Sequence, residues 1–139
     1  MTETQLGGNA ASAITPGRLV LLRHGQTVWS ESGQHTGRTN IPLTDIGCDQ
    51  ARAAGERLRE AFQGCMFASP LRRAQQTAQL AGYGDFKVLP EIAEWDYGRA
   101  EGRTRQDVSA AGGFAWDVWR DGPRSLPESL EGDWVETLP

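Results

Sequence analysis

Arg23 and His24 are adjacent, and Gly25 follows them. A guanidinium next to an imidazole can do phosphoryl chemistry. The planar fork of arginine grips two phosphate oxygens, and an unprotonated ring nitrogen attacks phosphorus in line. The pair alone is weak evidence, because a lone histidine is commonly just a packed or solvated residue. The chain as a whole carries a formal charge of -4, which attracts neither nucleic acid nor an anionic membrane. Any phosphate site must therefore come from arginines that converge locally.

The elements that would position this pair can be read from apolar period and punctuation. Leu19-Val20-Leu21-Leu22 is a continuous apolar run that predicts a strand covered on both faces, with His24 just past its carboxyl end. Ligands in open α/β sheets bind at that end, where loops leave the strands and helix N-termini point inward. Thr44 predicts a helix start, with Ala51, Ala54, Leu58 and Ala61 on one face. Met66-Phe67-Ala68 predicts a second strand. Ser69 and Pro70 then suit an N-cap and first helical position, ahead of Leu71, Ala74, Ala78 and Ala81 at helical spacing. Phe86 to Leu89 predicts a third strand and Pro90 to Arg103 a long loop. Thr104 opens a helix with Val108, Ala111, Ala115 and Val118 on its apolar face. Gly112 and Gly113 interrupt that helix, each costing about 1 kcal/mol against alanine. An irregular tail is expected beyond Asp121, and no internal repeat is present.

A chain of 139 residues fits one domain, expected over residues 18–139 after a mobile leader at 1–17. Hydrophobic residues make up 38% and charged residues 23%. With 17 glycines and a mean hydropathy of -0.51, this predicts a lean core and generous loops. Cys48 and Cys65 lack metal-ligand spacing and offer no disulfide framework. The first 20 residues lack the basic start and apolar run of a secretory signal. No apolar stretch approaches the roughly 20 residues that span a bilayer. A cytoplasmic, soluble protein is the expectation. Neither G-x-x-x-x-G-K-[ST] nor G-x-G-x-x-G spacing follows a strand, which sets aside a nucleotide-binding module.

Several blocks occur in order: Arg23-His24-Gly25-Gln26-Thr27, then Thr36-Gly37, then Pro42-Leu43-Thr44 with Gly47. Ser69-Pro70-Leu71-Arg72-Arg73-Ala74 with Thr77 follows, then Glu94 through Gly98, and Glu101-Gly102. Together they resemble the histidine phosphatase superfamily, in the branch of phosphoglycerate mutases and related phosphatases, over roughly Arg18 to Asp121. The resemblance implies a three-layer α/β/α sandwich with a mostly parallel sheet. It implies that His24 becomes phosphorylated while Arg23 and Arg73 clamp the transferring group, and that Glu94 serves as acid and then base. Arg73 takes the clamp role because it stands directly before Ala74. Arg72 reads as a solvated helix start. Trp95 and Tyr97 are placed to exclude water from the glutamate, though Trp95 suits ordinary packing equally well. Gln26, Thr27, Ser30, Thr36, Gly37, Tyr97 and Arg105 fall at substrate-binding positions, with the Thr36 hydroxyl and the Gly37 N–H as the groups in contact. Ser30 stands where many relatives have asparagine, and Arg105 where mutases have lysine. His35 and Arg38 belong at the pocket edge.

Family members place a second catalytic histidine late in the chain, at the end of another central strand. Only His24 and His35 occur here, and the expectation is a member truncated at its C-terminal side. The sheet would then be incomplete, with open edges that favour association of copies. The resemblance implies no cofactor and no metal, and the expected partner is a small phosphorylated metabolite. Three functions follow. The first is a metal-independent phosphatase acting on small esters, with the Glu94 to Gly98 block resembling sugar-phosphate phosphatases. The second is an impaired remnant that binds phosphate ligands or a partner. The third is a mutase-type phosphotransferase.

Overall fold

The computed structural model describes residues 17, 19–123 and 125–130. The leader expected at 1–17 lies outside these residues apart from Gly17, as does the end of the tail. Thr27 closes the segment that carries His24 and starts α1 (Val28–Ser32). Its hydroxyl accepts the N–H of Ser30 at 3.1 Å, and the Ser30 hydroxyl accepts the N–H of Thr27 at 2.8 Å. This reciprocal cap satisfies two donors that a helix start leaves orphaned.

Thr44 caps α2 (Asp45–Leu58) through the Gly47 N–H, as its sequence predicts. The buried face differs from the expected one: Gly47, Ala51 and Gly55 turn inward, while Ala54 and Leu58 are half-buried and Ala61 lies beyond the helix. Close backbone approach selects these glycines. A Cβ built on Gly47 would stand 2.1 Å from the Gln26 carbonyl oxygen, and one on Gly55 2.2 Å from that of Ala81. Hydrophobicity alone does not reveal such a row of small residues.

β1 (Met66–Ala68) and β2 (Phe86–Val88) pair in parallel, with Met66 opposite Phe86 and Ala68 opposite Val88. α3 (Arg72–Leu80) makes the crossover that a parallel pair requires. Ser69 is not its N-cap. Leu71 holds that position, the Ser69 hydroxyl accepts the Leu71 N–H at 3.3 Å, and the Arg72 N–H reaches the Asn40 side chain at 2.9 Å. The segment 19–22, expected as a strand, belongs to no strand. It lines a groove of about 450 Å³ with Phe62, Met66 and Phe67, yet Leu19 is 81% and Leu21 86% exposed. An apolar run becomes a strand only where a neighbouring strand takes its N–H and C=O groups. The sheet among the described residues therefore has two strands, and the architecture is α/β.

Thr104 opens α4 (Arg105–Gly112) with a reciprocal cap to Asp107. The helix stops at Gly113, whose φ of 68° suits glycine. Val118 thus lies in a separate short helix, α5 (Val118–Asp121), capped by Asp117, and not on the face of one long helix. The described part of the tail is irregular in backbone but not loose in packing. Leu126 and Leu130 join Tyr97, Ala100, Val108, Trp116 and Val118 in the main apolar cluster.

Candidate active site

His24 sits in the segment between the 19–22 run and α1, half-buried. Its Nδ1 lies 2.8 Å from the Gly25 carbonyl oxygen. A carbonyl can only accept, so Nδ1 carries the hydrogen and Nε2 keeps its lone pair. Burial pushes the His24 pKa below its ordinary value, and the positive charges of Arg73 and Arg23 add to this against the opposing Gly25 bond and Glu94. The result is a neutral imidazole with one nitrogen available, the form that a nucleophile needs.

A cavity of about 380 Å³ brings together Arg23, His24, Arg73 and Glu94, with Ser69 and Thr77 in its wall. All four residues assigned to catalysis by sequence thus line one space. Arg23 is exposed and makes no hydrogen bond or ion pair among the described residues. Arg73 is 2% exposed, and its guanidinium donates to the carbonyls of Thr36 at 3.0 Å, Gly37 at 3.1 Å and Thr39 at 3.2 Å. Those bonds leave Nε–H and one Nη1 hydrogen for a ligand. Glu94 is exposed and accepts the N–H of Trp95 at 2.9 Å. Trp95 packs against the apolar cluster, its ring centroid 6.1 Å from that of Trp119.

The expected substrate contacts divide. Gln26 and Ser30 line a second hollow of about 220 Å³ shared with Arg23, His24 and Gln50. The Gln26 side-chain oxygen accepts from the Thr44 hydroxyl at 2.7 Å, which leaves its amide hydrogens. Ser30 faces this hollow while its hydroxyl serves the α1 cap. Thr27 is fully buried, and its hydroxyl is held in the same cap, so it offers a ligand nothing. The Thr36 hydroxyl donates to the Gln34 carbonyl at 3.3 Å. The Gly37 N–H, expected at the phosphate, is taken by both carboxylate oxygens of Glu101, at 2.9 and 3.0 Å. Tyr97 is 7% exposed, with its ring 5.1 Å from that of His35; burial, then Glu94 and Glu101, push its phenol up to about 12. It is a core residue that stays protonated. Arg105 is held away from the cavity by Asp117 at 3.0 Å and by the Trp116 carbonyl at 3.0 Å. His35 is anchored to the Arg103 carbonyl at 2.8 Å and lies between Tyr97 and Trp116.

Two residues of the ordered blocks matter more than their sequence suggests. The Thr77 hydroxyl donates to the Arg73 carbonyl at 2.8 Å and accepts the Gly25 N–H at 3.1 Å, tying the nucleophile segment to α3. Glu101 binds the 37–39 backbone. Neither function leaves a trace in periodicity; each depends on a chain crossing that only the fold creates. Among the described residues no group of three or more His, Cys, Asp or Glu is placed to hold a metal ion, and no helix is long and apolar enough to cross a membrane.

Residues 19–136 match the model of the histidine phosphatase superfamily, branch 1. The chain belongs to that superfamily. As a histidine phosphatase superfamily member it is 45% identical over 107 residues to an acid phosphatase of Mycobacterium tuberculosis, covering 76% of this chain and 52% of that protein. It is 34% identical over 133 residues to a sedoheptulose 1,7-bisphosphatase of Saccharomyces cerevisiae, covering 79% and 49%. It is 40% identical over 129 residues to a 2,3-bisphosphoglycerate-dependent phosphoglycerate mutase of Corynebacterium glutamicum, covering 86% and 52%. A solved open-reading-frame product of Mycobacterium tuberculosis superimposes with a TM-score of 0.67 at 40% identity, over 76% of this chain and 55% of that one. The chain spans about half the length of the curated relatives it matches.

Proposed function

We propose that this chain carries the nucleophile side of a phosphatase that hydrolyses small phosphate esters through a phosphohistidine. The observation that carries the reading is the available Nε2 of a neutral His24 in one cavity with Arg23, Arg73 and Glu94. The Nε2 lone pair forms a bond to phosphorus while the bond to the ester oxygen breaks, and Glu94 in its acid form protonates the leaving oxygen. Water then attacks phosphorus, Glu94 takes its proton, and the P–N bond breaks to release orthophosphate. Arg23 and the two remaining hydrogens of Arg73 stabilise charge on the phosphoryl oxygens. No step of this scheme calls on a metal ion.

A sugar phosphate is the favoured substrate class. Support comes from the Glu94 to Gly98 block, from the sedoheptulose bisphosphatase similarity, and from the side-chain amides of Gln26 and Gln50 beside His24. Mutase-type transfer is the less favoured assignment, because Arg105, at the position of the mutase lysine, is held by Asp117. A second reading, ester binding without turnover, is favoured by one observation: the chain's other histidine, His35, is packed between Tyr97 and Trp116 and supplies no imidazole to the cavity.

The test is phosphate release from an aryl phosphate in EDTA by the wild type, His24→Ala and Glu94→Gln. Release that survives EDTA and disappears in His24→Ala supports hydrolysis through His24. Binding of the ester without release supports the second reading. Release unchanged in His24→Ala overturns both.

A further inference from the structure

Glu101 does not line the cavity with His24, yet it is bound to the loop that holds Arg73. Its carboxylate accepts the Gly37 N–H at 2.9 and 3.0 Å and the Thr39 N–H at 3.0 Å. On the other side of the same loop, Arg73 donates to the carbonyls of Thr36, Gly37 and Thr39. The amide joining Thr36 to Gly37 is therefore shared: its oxygen faces the guanidinium and its N–H faces the carboxylate. An anion on the N–H side polarises the amide and makes its oxygen a better acceptor for a cation. Gly37 permits this approach, since a Cβ there would stand 2.2 Å from the Trp95 carbonyl oxygen and 2.7 Å from Oε2 of Glu101.

We propose that Glu101 is a positioning residue that sets the Arg73 guanidinium for phosphate by holding the 36–39 loop from its N–H side. Glu101 never touches the ligand. It fixes the carbonyls that determine where Arg73 presents its two remaining hydrogens, and it supplies a negative charge near a guanidinium that is otherwise buried among carbonyls. Without it the loop loses three charge-assisted bonds and Arg73 loses its fixed orientation. This inference rests on the proposal that the cavity binds a phosphoryl group, and the experiment separates the two.

Nitrogen NMR of the Arg73 side chain, without ligand, is compared in the wild type, Glu101→Gln and Gly55→Ala. Gly55→Ala strains the α2–α3 contact without touching the loop and so controls for lost stability. Resolved, slowly rotating Arg73 Nη signals are expected in the wild type and in Gly55→Ala, and averaged signals in Glu101→Gln. Orthophosphate binding is expected to weaken about tenfold or more in Glu101→Gln, with no further loss when that change is added to Arg73→Lys. Arg73 signals unaltered by Glu101→Gln, or losses that simply add in the double variant, would overturn the proposal. A wild type that does not bind orthophosphate would count against the phosphatase reading, while the Arg73 signals still decide whether Glu101 sets the guanidinium.

Discussion

His24 lies between two arginines in a partly desolvated segment, so its neutral form is favoured by folding. Its pKa is below 6.5, mainly through burial. The unfolded chain therefore binds a proton more readily than the folded one, and the stability that His24 contributes is fully present above pH 6.5 and lost as pH falls below it. On its acid side the phosphorylation rate should follow the same group and fall as pH drops below 6.5. A pH–rate profile whose acid limb begins above pH 7 would contradict this assignment. Thr77 offers a second test at this scale. Thr77→Val keeps the shape of the side chain but removes the acceptor for the Gly25 N–H, so unfolding should become about 1–3 kcal/mol easier by denaturant titration. His24 and Arg73 were legible in the sequence because the family's blocks mark them. Thr77 and Glu101 stand in those same blocks, but their roles were not legible, since their partners lie 52 and 62–64 residues away in the chain. The internal partners of Thr27, Gly37 and Arg105 were not legible for a related reason: a sequence position does not show that a hydroxyl, N–H or guanidinium is already bonded within the fold.

At the scale of elements, local rules succeeded at two helix starts, whereas Leu71 and not Ser69 is the N-cap of α3, and α4 ends at Gly112 instead of running on to Val118. Thr44 and Thr104 cap their helices, and Gly113 stops α4. They failed where two elements meet. The inward row Gly47, Ala51 and Gly55 of α2 is selected by contact with the Gln26 and Ala81 backbones, which hydrophobic period cannot detect. The same contact decides the sign of a substitution. Gly55→Ala would gain about 1 kcal/mol of helix propensity. Its Cβ, however, would lie 2.2 Å from the Ala81 carbonyl oxygen, and overpacking of this kind costs about 1–3 kcal/mol. Net destabilisation in thermal unfolding is expected, and a more stable Gly55→Ala would mean that α2 and α3 are not in such close contact.

Across the whole molecule, no residue of the apolar cluster of Tyr97, Trp116, Val118 and Leu130 lines the His24 cavity, and none of residues 19–22 belongs to that cluster. The sequence could announce an apolar run but not whether a strand would pair with it. Leu19 and Leu21 are more than four-fifths exposed, beside Phe67 and Ile92 in an apolar groove. Changing both leucines to serine should therefore move the unfolding free energy by no more than about 0.5 kcal/mol and should lower binding of an apolar dye. A large loss of stability would show that these side chains are buried. The central claim, that His24 is the nucleophile, is tested most directly by trapping the protein with an aryl phosphate and mapping acid-labile phosphate onto its peptides. Label on His24, absent from His24→Ala, is the predicted result; label on another residue, or label that persists in His24→Ala, would contradict the account.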